Sequence, residues 1–176
     1  MDLKNIIIES PRLIQVTLSE KYKQDIFKSF TQEVAKFMYP KAHDDISETE
    51  GFIAMSRKGI EAGNNLQMVI LKKSNNEFLG CSGLHDLDTD TPETGLWLKQ
   101  SAHGFAYGKE TIEAIYNWAK QNLKFIYIKY SVERENIASI KIPEMLGGKV
   151  SREYKMKNMA GRIQDLLEYR IYNNFK

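Results

Sequence analysis

The strongest constraint on the fold is a run of three strand-like segments that leads into one amphipathic helix. The three segments cover residues 66–73, 77–87 and 93–100, and only short polar turns or loops separate them. The helix is predicted over residues 106–121 from a helical spacing of inward-facing residues, namely Ile112, Ile115, Tyr116 and Ala119. Strands joined by short turns pair side by side, and the helix must bury its apolar face against them.

The remaining segments predict further strands and helices around this centre. Residues 6–16 predict a strand interrupted by Pro11, which suits an edge strand or a bulge. Two helices follow, the second announced by the capping pattern Ser47-Glu-Thr-Glu50. Residues 125–132 predict a strand covered on both faces, followed by a short helix and two last strands. We therefore expect one mixed α/β domain over residues 1–176.

Cysteine and histidine usage excludes several kinds of site. The single cysteine, Cys81, rules out an internal disulfide and a cysteine-based metal cluster. The three histidines lack the spacing of metal ligands, so we expect no metal. His85 would lie about 13 Å from Cys81 along an extended strand, too far to activate the thiol. We interpret Cys81 as a buried structural residue.

Charge and hydropathy limit the partners and the location. The net charge of +2 is too small to indicate nucleic-acid binding, although residues 141–176 carry an excess of lysine and arginine. The N-terminal apolar stretch is too short for a signal peptide, and no segment approaches the roughly 18 apolar residues of a membrane span. We expect a cytoplasmic protein with no membrane partner.

Small residues mark the junction between the third strand-like segment and the central helix. Gly104, Ala106 and Gly108 lie where the first backbone N–H groups of a helix lack internal partners. Such a junction can hold a phosphate, because small residues let anionic oxygens approach these N–H groups. The alternative is that the glycines only allow close packing of the helix on the sheet. Neither a GxxxxGK[ST] loop nor a GxGxxG fingerprint is present.

The sequence around this junction resembles that of a known family. The segment GLWLKQSAHGFAYGKETIEAIYNWA, followed by VERENIASIKIPEMLGG, resembles the GNAT acetyltransferase superfamily, and within it the ribosomal-protein N-terminal acetyltransferases. Further matches are SPRL near the start, Gly80-x-x-Gly83-Leu84, Glu93-Thr-Gly95-Leu-Trp97, Asn136-x-x-Ser139 and DLLEYRIY at the end. In that superfamily the pattern Gln/Arg-x-x-Gly-x-Gly/Ala wraps the pyrophosphate of acetyl-CoA, and here Ser101 replaces the Gln or Arg.

The resemblance implies a GNAT-like fold with acetyl-CoA as co-substrate. The fold would be a central mixed, mostly antiparallel twisted sheet of about seven strands flanked by about four helices. A bulge near Trp97 and Lys99 would make that strand splay from residues 125–132 and open a wedge for pantetheine. The residues implied for cofactor binding are Trp97, Leu98, Lys99, His103, Gly104, Phe105, Ala106, Tyr107, Gly108, Lys109, Asn136 and Ser139.

For catalysis, the resemblance implies direct attack of an amine on the thioester in a ternary complex. Ser139 is the candidate proton donor to the CoA sulfur, and we expect Pro143 to open the short helix at Ser139, because proline cannot donate to the Ser139 carbonyl. A backbone N–H near Leu98 is a candidate oxyanion donor. Glu93 is the first candidate for the general base, with His85 or Asp86 second.

The acceptor is left open between a protein N-terminal amine and a small amine such as a polyamine or an antibiotic. Two other functions compete with an N-acetyltransferase: a non-catalytic acyl-CoA-binding module and a nucleotide-binding regulatory protein. The oligomeric state is also open, between a monomer and the homodimer that the family often forms.

Overall fold

The computed structural model describes residues 2–173, which form one open sheet of eight strands with five α-helices. The strands are β1 (Ile7–Glu9), β2 (Leu13–Thr17), β3 (Leu66–Lys72), β4 (Glu77–His85), β5 (Glu93–Leu98), β6 (Tyr127–Glu133), β7 (Lys149–Lys157) and β8 (Ile163–Tyr172). The helices are α1 (Lys23–Ser29), α2 (Gln32–Ala35), α3 (Ile46–Ala62), α4 (Tyr107–Asn122) and α5 (Ile137–Met145). No helix in this part of the chain is both long enough and apolar enough to cross a membrane.

The sheet has the order β1-β2-β3-β4-β5-β6-β8-β7, and β5–β6 is its one parallel pair within the described residues. This mixed α/β architecture confirms the predicted fold class, with one strand and one helix more than expected. The extra strand arises because the turn containing Pro11 divides residues 6–16 into β1 and β2, which pair with each other. The extra helix is the single turn α2, which is too short to produce a periodic pattern.

Strand β3 is the centre of the core because both of its faces are covered. Met68 contributes to a large cluster with α4, whereas Val69 contributes to a second cluster with α1 and α3. All but the last residue of β3 are buried. Residues 125–132 were expected to be covered on both faces, and one face of β6 is buried at Ile128, Tyr130 and Val132, whereas Tyr127, Lys129 and Ser131 on the other face are half-buried.

The N-terminal cap of α3 differs from the predicted one. Asp45 is the N-cap residue, and its carboxylate accepts a hydrogen bond from the backbone N–H of Ser47 at 2.8 Å. Glu48 reaches back to the N–H of Asp44, one residue before the N-cap, at 2.7 Å, so the arrangement is a variant of the capping box. The capping box therefore lies two residues before the predicted Ser47-Glu-Thr-Glu50.

Strands β5 and β6 separate almost as soon as they meet. Their pairing is confined to Glu93 and Lys129, and the N–H of Lys129 bonds the carbonyl of Pro92 at 2.8 Å. On its other edge, β5 pairs with β4 in unbroken register from Glu93 to Leu98. The expected separation from residues 125–132 is thus present, but the expected bulge near Trp97 and Lys99 is not.

One carboxylate fixes the start of α4 to the first turn of the sheet. Glu110 accepts hydrogen bonds from the Ser10 hydroxyl, the Arg12 backbone N–H and Arg12 Nε, each at 2.7 Å. The Arg12 guanidinium also lies 4.8 Å from the centre of the Tyr107 ring. Burial acts to raise the pKa of Glu110, but the bonds from Ser10 and Arg12 outweigh it and lower the pKa below 4.5.

We expect Glu110→Gln to lower the free energy of unfolding by about 1 to 2 kcal/mol at pH 7, because hydrogen bonds to a charged group are lost. The stabilisation by a carboxylate with a lowered pKa is present above pH 4.5 and is lost as the pH falls through the folded-state pKa. The difference between wild type and variant should therefore shrink in urea denaturation series carried from pH 7 to pH 3.

Glu113→Gln is the matched control, since Glu113 is exposed on the same helix. Its free energy of unfolding should stay within about 0.5 kcal/mol of wild type. Equal destabilisation by the two substitutions at pH 7 would contradict the role given to Glu110.

Candidate functional site

The junction before α4 has an unusual backbone that exposes N–H groups. Gly104 has φ +85° and Ala106, the N-cap residue of α4, has φ +60°. A left-handed alanine costs roughly 1 kcal/mol relative to the ordinary helical region, so the surrounding structure must hold it there. No side chain caps this helix start. The first N–H groups of α4 are therefore available to an anion.

Gly108 serves packing at the same junction. A Cβ at Gly108 would lie 3.2 Å from the Ile142 side chain of α5 and 3.6 Å from that of Leu96 on β5. At Gly104, by contrast, a Cβ would meet no atom within 4 Å, so its positive φ is what calls for glycine there. Close packing therefore explains the glycine at position 108, whereas backbone conformation explains the glycine at position 104.

A cavity of about 480 Å³ opens over this junction, between β5, α4 and α5, and we call it the cradle cavity. The predicted cofactor residues that line it are Trp97, Leu98, His103, Gly104, Ala106, Tyr107, Gly108, Lys109, Asn136 and Ser139. Lys99 and Phe105 do not line it. Lys99 pairs with Glu77 at 2.8 Å, and the exposed Phe105 ring stacks on Tyr107 at 5.6 Å.

The charged residues of the cradle cavity favour an anionic ligand. Lys109 and Lys141 line it, and Glu33 is the acidic residue among its lining side chains. His103 Nε2 lies 2.9 Å from the carbonyl oxygen of Leu98, and since a carbonyl only accepts, this ring nitrogen carries the hydrogen. The bond fixes the imidazole beside the junction and occupies the Leu98 carbonyl.

Ser139 lies in the first turn of α5 and faces the cradle cavity. Asn136 caps the helix, with its side-chain oxygen accepting from the Ser139 N–H at 3.2 Å. The helix runs without a break through Pro143, so the expected opening at Ser139 is wrong. The serine is held instead by a bond of 2.8 Å between its hydroxyl and that of Tyr130 on β6.

Tyr130 remains protonated at neutral pH. Its side chain is buried, and this burial raises its pKa to about 12 although the bond with Ser139 acts in the opposite direction. A protonated phenol can donate its hydrogen to Ser139 Oγ, which leaves the serine hydrogen free to point into the cavity.

A second cavity, of about 520 Å³, lies next to the first, and we call it the aromatic cavity. Aromatic rings from several elements line it: Phe30, Phe37, Tyr39, Phe52, Trp97 and Tyr154. Both cavities are lined by the same four residues, which form their shared wall: Phe37, Met38, Leu96 and Trp97. Groups bound in the two cavities would therefore approach each other at this wall.

Two of the predicted base candidates lie side by side in the aromatic cavity. Glu93 on β5 and His85 on β4 are register partners, and both line the cavity. Burial lowers the pKa of His85, against the opposing effect of Glu93 and Asp86, which favours a neutral ring able to accept a proton. Asp86 does not line the cavity, and its carboxylate lies 3.4 Å from Lys129 Nζ.

A third titratable group in the aromatic cavity was not among the predicted residues. His43 precedes α3, and its Nδ1 lies 2.7 Å from the hydroxyl of the fully buried Thr49. Its ring packs 5.5 Å from Phe30 and 6.4 Å from Phe52. Burial lowers the pKa of His43. No local sequence pattern indicates this placement, because it depends on packing between three separate segments.

Residues 36–39, which we call the roof segment, contribute Phe37 and Met38 to both cavities. Each of its four carbonyls accepts a hydrogen bond from the region of the β7–β8 turn. The donors, in the order of the carbonyls, are the side chains of Arg162, Gln164 and Asn158 and the backbone N–H of Met159. Glu133, which is buried, holds Arg162 in turn at 2.9 Å.

Cys81 is fully buried on β4, and burial raises the pKa of its thiol, so it stays protonated at neutral pH. This agrees with its interpretation as a structural residue. Within residues 2–173, no group of three or more His, Cys, Asp or Glu side chains is arranged to hold a metal ion.

Comparison with known proteins identifies a family. A family model described as an acetyltransferase (GNAT) domain matches residues 12–149. A search of curated protein sequences finds no match.

Solved structures share the fold. A GCN5-related N-acetyltransferase from Brucella melitensis superposes with a TM-score of 0.81 at 14% identity, covering 98% of this chain and 80% of that one. RimL, a ribosomal L7/L12 alpha-N-protein acetyltransferase, superposes with a TM-score of 0.84 at 15% identity, covering 96% and 95%. A spermidine N-acetyltransferase from Vibrio cholerae, solved with CoA and spermine, gives 0.79 at 15% identity, covering 93% and 96%.

Proposed function

The chain belongs to the GNAT acetyltransferase family, an acyl-transferring family that uses acetyl-CoA, and on this premise we propose that it acetylates a primary amine by direct attack within a ternary complex. The observation that supports this proposal is that the two cavities share one wall. The cradle cavity offers an anion-binding helix start, the aromatic cavity offers proton acceptors, and both reach Leu96 and Trp97.

The cradle cavity suits the pyrophosphate and pantetheine parts of acetyl-CoA. The first N–H groups of α4 have no partner within the helix, and a phosphate contact at such a helix start is worth about 0.3 to 1 kcal/mol when exposed and up to about 2 kcal/mol when partly buried. Lys109 and Lys141 add positive charge at the same cavity. Because β5 leaves β6 after Glu93, the remaining backbone edge of β5 has no strand partner on that side, so its N–H groups can pair with pantetheine amides.

The proton donor in this proposal is Ser139. Acetyl-CoA supplies an acyl group on a thiol that already leaves well, so proton donation needs to supply only part of the acceleration. Ser139 gives its hydroxyl hydrogen to the departing sulfur, and the hydrogen bond from the phenol of Tyr130, 2.8 Å away, stabilises the serine oxygen as it loses that hydrogen. Tyr130 thus acts as a positioning residue for Ser139.

The proton acceptor in this proposal is Glu93, with His85 as its alternative. Both side chains line the aromatic cavity, where the amine would bind before it attacks the thioester. An α-amine needs about 1 kcal/mol to become neutral at pH 7, whereas a lysine amine needs about 4.6 kcal/mol. A protein N-terminal amine can therefore react with only a water-mediated base, while a small amine of higher pKa depends more on Glu93. We place the reaction in the cytoplasm.

We expect Gly104→Val to raise the KM for acetyl-CoA by about tenfold or more, because a branched residue resists the left-handed backbone that exposes the N–H groups. Gly147→Val is the matched control. Gly147 has a similar φ of +75° and a Cβ there would also meet nothing within 4 Å, but it lies outside both cavities. Steady-state kinetics with detection of the released CoA thiol gives the KM of each variant. Equal KM values for the two variants would contradict phosphate binding at the start of α4.

We expect Ser139→Ala to lower kcat by about tenfold to a hundredfold with little change in acetyl-CoA affinity, because the proton donor is lost and the helix cap is kept. Tyr130→Phe should give a smaller loss in kcat, since the serine remains but loses its partner. Isothermal titration calorimetry measures affinity, and circular dichroism confirms the fold. Unchanged kcat in a folded Ser139→Ala protein would exclude this donor, and acetyl-CoA binding without turnover of any amine would favour the non-catalytic module.

A further inference from the structure

The aromatic cavity has a nearly continuous wall of rings. The Phe30 ring centre lies 5.0 Å from that of Trp97 and 5.5 Å from that of His43, and His43 lies 6.4 Å from Phe52. Phe30 directly follows α1, Trp97 lies on β5, Phe52 lies on α3, and His43 lies in the segment before α3. Flat apolar walls of this kind favour a flat apolar ligand group, because ring pairs gain packing energy beyond the area they bury.

Strand β7 completes the wall from the opposite side. Tyr154 and Met156 line the cavity and are half-buried, whereas their neighbours Glu153, Lys155 and Lys157 are exposed. The period of two on a strand explains this, since alternate side chains point to opposite faces. β7 thus turns its charged residues to solvent and one aromatic and one thioether side chain to the cavity.

Three of the polar side chains in the wall already have protein partners. Gln67 donates to the Ser82 carbonyl at 2.9 Å, and Thr94 donates to the Gly83 carbonyl at 2.8 Å. Gln164 donates to the roof segment at 3.0 Å. A polar substrate group would have to compete with these bonds, which a ring or alkyl group would leave in place.

The charge of the cavity is sufficient for one ammonium group only. Glu93 is the single carboxylate among the lining side chains, and its oxygen already lies 3.8 Å from Lys129 Nζ. The two lining imidazoles, His43 and His85, are biased towards the neutral form. A second ammonium group would lose its hydration here without a carboxylate to replace it, at a cost that aromatic faces alone offset only in part.

We propose that the amine acceptor is a monoamine that carries an aromatic or large apolar group beside the reacting nitrogen. This assignment rests on the proposed acetyl transfer. The ring occupies the cavity between Phe30, Phe52 and Met156, and the amine lies at Glu93 next to the shared wall. The same chemistry has two sources, a free arylalkylamine and a peptide whose first residue is aromatic.

The test compares kcat/KM for 2-phenylethylamine, spermidine and two peptides that differ only in a first residue of Phe or Ser. We expect kcat/KM to be higher for 2-phenylethylamine than for spermidine, or higher for the Phe peptide than for the Ser peptide. The expected ratio is about tenfold to a hundredfold, because one aromatic ring is buried. A preference for 2-phenylethylamine over spermidine identifies a free arylalkylamine as the acceptor. A preference for the Phe peptide over the Ser peptide identifies a peptide with an aromatic first residue. Absence of the preference in both pairs of acceptors would overturn the proposal.

A charge variant tests the same proposal by gain of function. Met156→Glu places a second carboxylate in the wall, so kcat/KM for the aromatic acceptor should fall and that for spermidine should rise, each by about tenfold. Met55→Glu is the matched control, since Met55 is 76% exposed on α3 and lines neither cavity. It should leave both values within about twofold of wild type.

Failure of this proposal is distinguishable from failure of the acetyl-transfer function. Titration calorimetry of the unmodified protein with acetyl-CoA tests the function without any amine. Binding of acetyl-CoA together with a preference for spermidine, or an unchanged preference in Met156→Glu, overturns the acceptor assignment alone. No binding of acetyl-CoA overturns the function, and the acceptor assignment with it.

Discussion

Strands β5 and β6 run parallel but share backbone pairing only at Glu93 and Lys129, and both cavities depend on that early separation. A sheet that stayed closed here would cover the backbone edge of β5 with a neighbouring strand. Because it opens, Leu96, Trp97 and Leu98 face a cavity instead of a ladder of hydrogen bonds. Glu93 lies at the closed end of this opening, beside the aromatic cavity, and the start of α4 lies at its other end.

Two sets of long-range bonds hold the elements that surround the opening. Glu110 ties the first turn of α4 to Ser10 and Arg12 at the edge of the sheet, which fixes the helix start that exposes its N–H groups. The β7–β8 turn holds the roof segment through its four carbonyls, which places Phe37 and Met38 over both cavities. Each set joins segments about a hundred residues apart, so the site forms only when the whole sheet has formed.

Periodicity and local chemistry predicted the elements that make the site, but not the contacts that arrange them. The strands β3 to β5, the helix α4 and the junction at Gly104 and Ala106 follow from patterns within a few residues. The early separation of β5 from β6 followed from the family resemblance rather than from any pattern. The roof segment, the His43–Thr49 bond and the Tyr130–Ser139 bond have no local signature, because each depends on which elements become neighbours in the sheet. The prediction that Pro143 opens α5 at Ser139 was wrong for a related reason. Proline removes one hydrogen bond of the helix, but tertiary packing keeps the helix intact.

We propose that the start of α4 holds the phosphates of the acyl donor. A crystal structure of the protein soaked with CoA would show this placement. We expect pyrophosphate oxygens within hydrogen-bond distance of backbone N–H groups in residues 104–109, and the thiol end in the cradle cavity near Ser139. CoA bound away from these residues, or with its pyrophosphate in the aromatic cavity, would overturn this placement.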